Sequence, residues 1–111
     1  MSTTNIFTSR SFLELLQQER ARVHRNGQQF SLILFRLAEH ADLSAVVHPI
    51  MLPAILKRIR KIDQVGLYDE KHIGLLLPHT ARDGARKVAG DLYQIQPIAS
   101  NIAGCEFYMY P

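Results

Sequence analysis

Arg60 and Asp63 stand three residues apart in the stretch RKID, a guanidinium fork and a carboxylate close enough to act on one ligand. Arginine's planar fork suits bidentate recognition of a planar or anionic partner, so the pair is a candidate binding feature. Arg58 and Lys61 add positive charge beside it. The plainer alternative is a solvated arginine and an aspartate that ends a helix. A little further on, Asp69-Glu70-Lys71 gathers three charges that face either a ligand or only water. The five histidines, His24, His40, His48, His72 and His79, show no metal-ligand spacing. No glycine-rich phosphate loop or nucleophile elbow occurs. Cys105 is the single cysteine, so it can form neither an internal disulfide nor a metal-binding pair, which fits a reducing compartment.

The elements that must position these residues follow from hydrophobic period. Val65 and Leu67, then Ile73 and the run Leu75-Leu76-Leu77, read as two strands joined by the charged tip, a hairpin within Arg60 to Pro78. Upstream, Phe12, Leu15, Leu16 and Val23 fall at helical spacing over Ser11 to about Val23, with Ser11 and Glu14 in capping-box form and Asn26-Gly27 as the stop. The run FSLILFRL, Phe30 to Leu37, is apolar enough for a strand covered on both faces. Pro49 and Pro53 predict a short irregular or helical piece and then a helix from Pro53 to Ile62, with Leu52, Ile55, Leu56, Ile59 and Ile62 as its apolar stripe. Thr80 to Asp83 has a second capping-box form, opening a helix with Ala85, Val88, Ala89 and Leu92 on one face and ended by Pro97. A last strand covers Cys105 to Tyr110.

At 111 residues, 47% apolar and 21% charged, the chain is one ordinary globular domain. Its net charge of +3 permits an anionic partner without demanding one. The start, MSTTNIFTSR, has no apolar core of signal-peptide length, and no apolar stretch is long enough to span a bilayer, so a cytoplasmic location with no membrane contact by this domain is expected. A strand reaching the end of the sequence suggests a domain excised from a longer polypeptide. Without the first helix the order is βαββαβ, predicting an α+β ferredoxin-like sandwich, a four-stranded mainly antiparallel sheet plus an extra N-terminal helix. The crossover rule places Phe30–Leu37 beside His72–Pro78 at the sheet's centre. RNA-recognition modules share this order and are the alternative class. The third strand lacks the aromatics such modules stack bases on, and Phe30 and Phe35 lie in a buried run, so no nucleic-acid partner is expected.

In this order, Arg60 to Pro78 resembles the core of a GGDEF domain, the diguanylate cyclase family of bacteria. The matching residues are Arg60 and Asp63, Val65, Leu76-Leu77-Pro78, Thr80, and Ala85 with Val88-Ala89; Arg10-Ser11-Phe12 resembles the family's Asn-Arg-x-x-Phe segment. The resemblance covers most of the chain through joint spacing. It puts Asp69, Glu70, Lys71, His72 and Ile73 at the five signature positions, so only the final apolar residue keeps its character. In the family, two glycines admit the nucleotide, and a carboxylate of the signature joins one from the first strand in holding magnesium. Here Lys71 replaces the one and, in the most natural alignment, Arg36 the other. Two cations in one place would repel the metal that phosphoryl transfer needs.

The resemblance therefore implies a degenerate member: no enzyme, no catalytic residue, no metal, no cofactor. It implies a regulatory or association domain of a bacterial signalling or exopolysaccharide-synthesis protein, with a protein partner or a fused effector such as a sugar transferase. Two copies are expected to pair, with the first helix as the candidate contact. The alternative is a cyclic di-GMP sensor, because Arg60 and Asp63 keep the spacing of the family's inhibitory site, Gln64 to Tyr68 filling the gap to the signature positions.

Overall fold

The computed structural model describes residues 6–110. Met1 to Asn5 and Pro111, which include half of the stretch MSTTNIFTSR and the last residue of the sequence, lie outside the described residues. After a two-residue strand β1 (Ile6–Phe7), helix α1 spans Ser9–Asn26. It begins before the expected Ser11 because the cap is Thr8, whose hydroxyl accepts the Ser11 N–H at 3.3 Å. Gly27 ends it in the left-handed region, φ 74°, and its N–H reaches Val23 O at 2.7 Å. This is the αL stop that glycine makes inexpensive.

Strand β2 (Phe30–Leu37) is buried at every position except Arg36, as its apolar run requires. The hairpin strands are β3 (Gln64–Asp69) and β4 (His72–Pro78), and the last strand, β5, covers Ile102–Tyr110, opening three residues before the expected Cys105. The sheet order is β1-β3-β4-β2-β5, in which β3, β4, β2 and β5 are antiparallel neighbours and β1 adds a parallel edge on β3. The two most apolar strands, β2 and β4, are thus central and adjacent as expected, paired antiparallel.

Strand alternation divides the sheet into two faces. Phe12, Leu16 and Val23 of α1 cover Phe30, Leu32, Leu34 and Leu76. The other face, with Ile33, Phe35, Leu75 and Leu77, lies under a second layer of helices. That layer begins with a π-helical segment, Leu43–Met51, capped by the Asp42 carboxylate on the N–H groups of Ser44 and Ala45 at 2.7 and 3.1 Å. Its wider turns carry the chain past Pro49, whose missing N–H and ring would break a regular α turn.

Helix α2 (Leu52–Arg58) continues from it and stops four residues before the expected Ile62. Ile59 is extended, φ −86° and ψ 166°, and Ile62 is 49% exposed instead of joining the apolar stripe. The cause lies just beyond: Arg60 N–H turns back to the Asp63 carboxylate at 2.8 Å, a closed loop that a continuing helix cannot make. Helix α3 (Arg82–Leu92) has no side-chain cap, so the second capping-box expectation fails. Pro97 does not end that helix but sits in the first turn of a short α4 (Gln96–Ala99). No helix among the described residues is long and apolar enough to cross a membrane.

Candidate functional site

The Arg60–Asp63 pair and the charged tip lie at opposite ends of the hairpin. Asp63 precedes β3, and Arg60 reaches the carbonyl of Pro78, the last residue of β4. At about 3.4 Å per residue, the strand between them separates the two places by roughly 20 Å.

At the base, the Arg60 guanidinium faces Asp63 bidentately: Nε donates to both carboxylate oxygens at 3.1 and 3.2 Å and Nη2 to Oδ1 at 2.8 Å. The same Nη2 donates to Pro78 O at 3.0 Å and Thr80 Oγ1 at 2.8 Å. Asp63 is 1% exposed, whereas the Arg60 side chain is 49% exposed. The hydrogen bond to Asp63 raises the pKa of Arg60 further, against an opposing effect of burial. From the core side, Ser31 Oγ donates to Thr80 O at 2.6 Å. These bonds fasten the α2–β3 junction to the β4–α3 junction. Thr80 is the member that sequence reasoning placed elsewhere: instead of capping α3 it accepts from Arg60 and donates to Pro78 O at 2.9 Å.

At the tip, Tyr68 is absorbed as an irregularity and Asp69 pairs with His72 across Glu70-Lys71. Asp69 Oδ1 accepts the Lys71 N–H at 2.8 Å and lies 2.8 Å from His72 Nδ1. Partial burial pushes the Asp69 pKa up, but the bonds from His72 and from Lys71 N–H outweigh it, and the carboxyl titrates below its ordinary value. Asp69 thus does the local work that glycine or asparagine does in other tight turns.

Arg36 ends the exposed side of β2 opposite His72 on β4 and Gly104 on β5. Its Nη2 donates to Ala103 O at 3.3 Å, and a Cβ at Gly104 would come within 3.1 Å of that nitrogen. The hollow it lines, about 220 Å³, also holds Leu34, His72 and Glu106. Lys71 lines a different hollow of about 280 Å³, with Ala38, Glu39, Ala41 and Glu70. The backbones are neighbours, Leu37 N–H bonding Lys71 O at 2.8 Å, yet the two cations open onto separate hollows. Across the ladder Arg36 faces His72, and Lys71 lies in the turn just before β4.

No family model and no curated protein matches the chain. Solved structures do. A DGC protein from Thermotoga maritima superposes with a TM-score of 0.79 at 14% identity, over 96% of this chain and 82% of that one. The GGDEF domain of YfiN from Pseudomonas aeruginosa gives 0.72 at 13% identity, over 98% and 79%. The GGDEF domain of FimX from the same organism gives 0.70 at 9% identity, over 94% and 72%. At these identities the likeness establishes the fold, that of GGDEF domains, and leaves function to the residues.

Proposed function

We propose that this chain, built on the GGDEF fold, is a catalytically inactive regulatory or protein-association domain of a bacterial signalling or exopolysaccharide-synthesis protein, working in the cytoplasm. The observation that carries the reading is the chemistry of the hairpin tip. Asp69 is spent on Lys71 N–H and His72, no glycine pair opens the backbone to phosphate, and the facing end of β2 presents Arg36. A hard divalent cation needs several oxygen donors at one point. Here Arg36 and His72 line one hollow with Glu106, while Lys71 lines the other with Glu39 and Glu70, so neither hollow is lined by oxygen donors alone. That donor set does not fit the magnesium of a cyclase, and no phosphoryl-transfer step is derived through it. The test is incubation with GTP and magnesium: no cyclic di-GMP is expected above a protein-free control, and turnover abolished by Lys71→Ala would overturn the reading.

A neighbour's partnership bears on the association part of this reading. The structure of SiaD, a diguanylate cyclase from Pseudomonas aeruginosa, was solved with its activator SiaC, and this chain superposes on SiaD with a TM-score of 0.64 at 18% identity, covering 44% of its length. A protein partner, a fused effector such as a sugar transferase, or a second copy of the chain is the corresponding proposal here.

A second reading, cyclic di-GMP sensing at Arg60 and Asp63, draws on the half-exposed Arg60 guanidinium held rigid at the hairpin base. The GGDEF domain of DgcB from Caulobacter crescentus, solved with cyclic di-GMP, superposes with a TM-score of 0.66 at 9% identity. A ligand at Arg60 competes with Asp63 for the fork. Calorimetry with cyclic di-GMP on the wild type, Arg60→Lys and Asp63→Asn decides it, and absence of heat at high micromolar ligand removes this reading.

A further inference from the structure

We propose that the open groove on the outer face of the π-helical segment and α2 receives an acidic amphipathic helix of a partner protein. The inference rests on the association reading above and gives it a surface and a partner chemistry. The groove, about 640 Å³, has a floor of Pro49, Ile50, Pro53 and Ala54, a wall at Ile95, and a basic end at Lys57 and Arg58.

Three observations point to a helix. The floor and the basic end follow one stripe, since positions 49/50, 53/54 and 57/58 recur every four residues along two helical segments that run directly into each other. At about 1.5 Å per residue the stripe is roughly 14 Å long, enough for two to three turns of a helix laid along it. Its floor is mostly short side chains, which let a second helix approach to the usual distance of about 8–10 Å. At the end away from the basic pair, Ile50 is 44% exposed, while Val47, Met51, Leu52 and Ile55 of the same segments are fully buried. The inward faces account for the core, and Ile50 is left as an anchor for something outside it, as in helix-in-groove recognition.

Charge specifies the partner. Residues 52–63 and 80–92 together carry seven basic and three acidic side chains, so this layer holds more net positive charge than the whole chain's +3. Arg58 is engaged by Asp91, its Nε donating to Oδ2 at 2.9 Å, which leaves exposed Lys57 as the cation nearest an incoming ligand. Aspartate or glutamate beside the apolar stripe of the partner helix complements it. A lipid surface suits the geometry less well, because only one large aliphatic, Ile50, projects from the strip.

The experiment is selection from a displayed library of 14-residue helical peptides against the wild-type protein, with counter-selection against Ile50→Asp. Both mutated positions, Ile50 and Lys57, are on the surface, and circular dichroism melts confirm folding of the variants. Expected are peptides with apolar residues at i, i+4 and i+7 flanked by Asp or Glu. They bind Ile50→Asp and Lys57→Glu at least tenfold more weakly and shift the methyl resonances of Ile50 and Ile95 but not of Ile33. Failure to enrich any Ile50-dependent binder overturns the proposal, as does enrichment of basic or non-helical sequences. Sedimentation with phosphatidylcholine vesicles containing one-third phosphatidylglycerol, if it depends on Ile50 and Lys57, overturns it in favour of a membrane surface. Each of these outcomes leaves the regulatory reading standing, because that reading falls only on GTP turnover.

Discussion

Arg60 covers Asp63, and the contact is one-sided: the carboxylate is 1% exposed and the guanidinium 49%. A carboxylate so deeply withdrawn from water needs its partner, because an unpaired buried charge costs far more than the pair returns. The half-exposed arginine, by contrast, leaves room for water to take its place in part.

Arg60→Ala is therefore expected to destabilise the domain by about 2–3 kcal/mol, below the full cost of orphaning a buried charge because Asp63 keeps the backbone N–H of residue 60 and water enters from the exposed side. Urea denaturation measures it. In a double-mutant cycle, Thr80→Val should couple to Arg60→Ala, since Nη2 donates to Thr80 Oγ1 at 2.8 Å. Additive effects would show that the two junctions are not fastened through this nitrogen.

Gly74 is the point where β4 lets α1 approach the sheet. A Cβ there would lie 2.6 Å from the Phe12 ring, and Phe12 is fully buried. Gly74→Ala is expected to cost about 1–3 kcal/mol through overpacking. Phe12→Leu in the same chain should recover part of that loss, although alone it destabilises. If Gly74→Ala is neutral, the seating of α1 on the sheet is wrong.

Much of this architecture is legible in the residues and some is not, for physical reasons. The runs FSLILFRL and HIGLLLP announce strands covered on both faces, and the βαββαβ order then leaves few topologies. Local signals misled where a distant residue competed. Thr80-x-x-Asp83 has the form of a cap, but Arg60, twenty positions away, takes the threonine hydroxyl. Ile59 and Ile62 continue the helical period, yet the Arg60–Asp63 loop ends the helix at Arg58. The groove floored by Ile50 was hidden by Pro49 and Pro53, which read as breaks, whereas the chain stays helical through both.

The hairpin tip should loosen in acid. The folded Asp69 carboxyl titrates below its ordinary value near 3.8, so its hydrogen bonds stabilise the tip fully above that pH and are lost as pH falls through the lower folded value. The side chain is 51% exposed, so the effect is local and small. Amide exchange at Lys71, whose N–H is bonded to Asp69, should accelerate in this acid range beyond the trend of exposed amides, and Asp69→Asn should remove the pH dependence. An Asp69 side chain whose resonances titrate at an unshifted value would contradict the turn geometry.

At the alkaline end, Tyr93 sets the corresponding limit. Its ring, 38% exposed, meets fully buried Phe35 edge-on, centroids 6.2 Å apart, and desolvation of its covered side, followed by interaction with Cys105, pushes the phenol up to about 12. An unfolded tyrosine ionises near 10, so between those values the unfolded state holds fewer protons and stability falls as pH rises, levelling off above about 12. Tyr93→Phe should flatten this decline and remove the last-titrating step from the tyrosinate absorbance curve. Cys105→Ala should move that step towards lower pH without abolishing it, because burial, the larger cause, remains. A Tyr93 step that stays in place in Cys105→Ala would assign the shift to burial alone, and the contact between the last strand and the end of α3 would then carry no electrostatic weight.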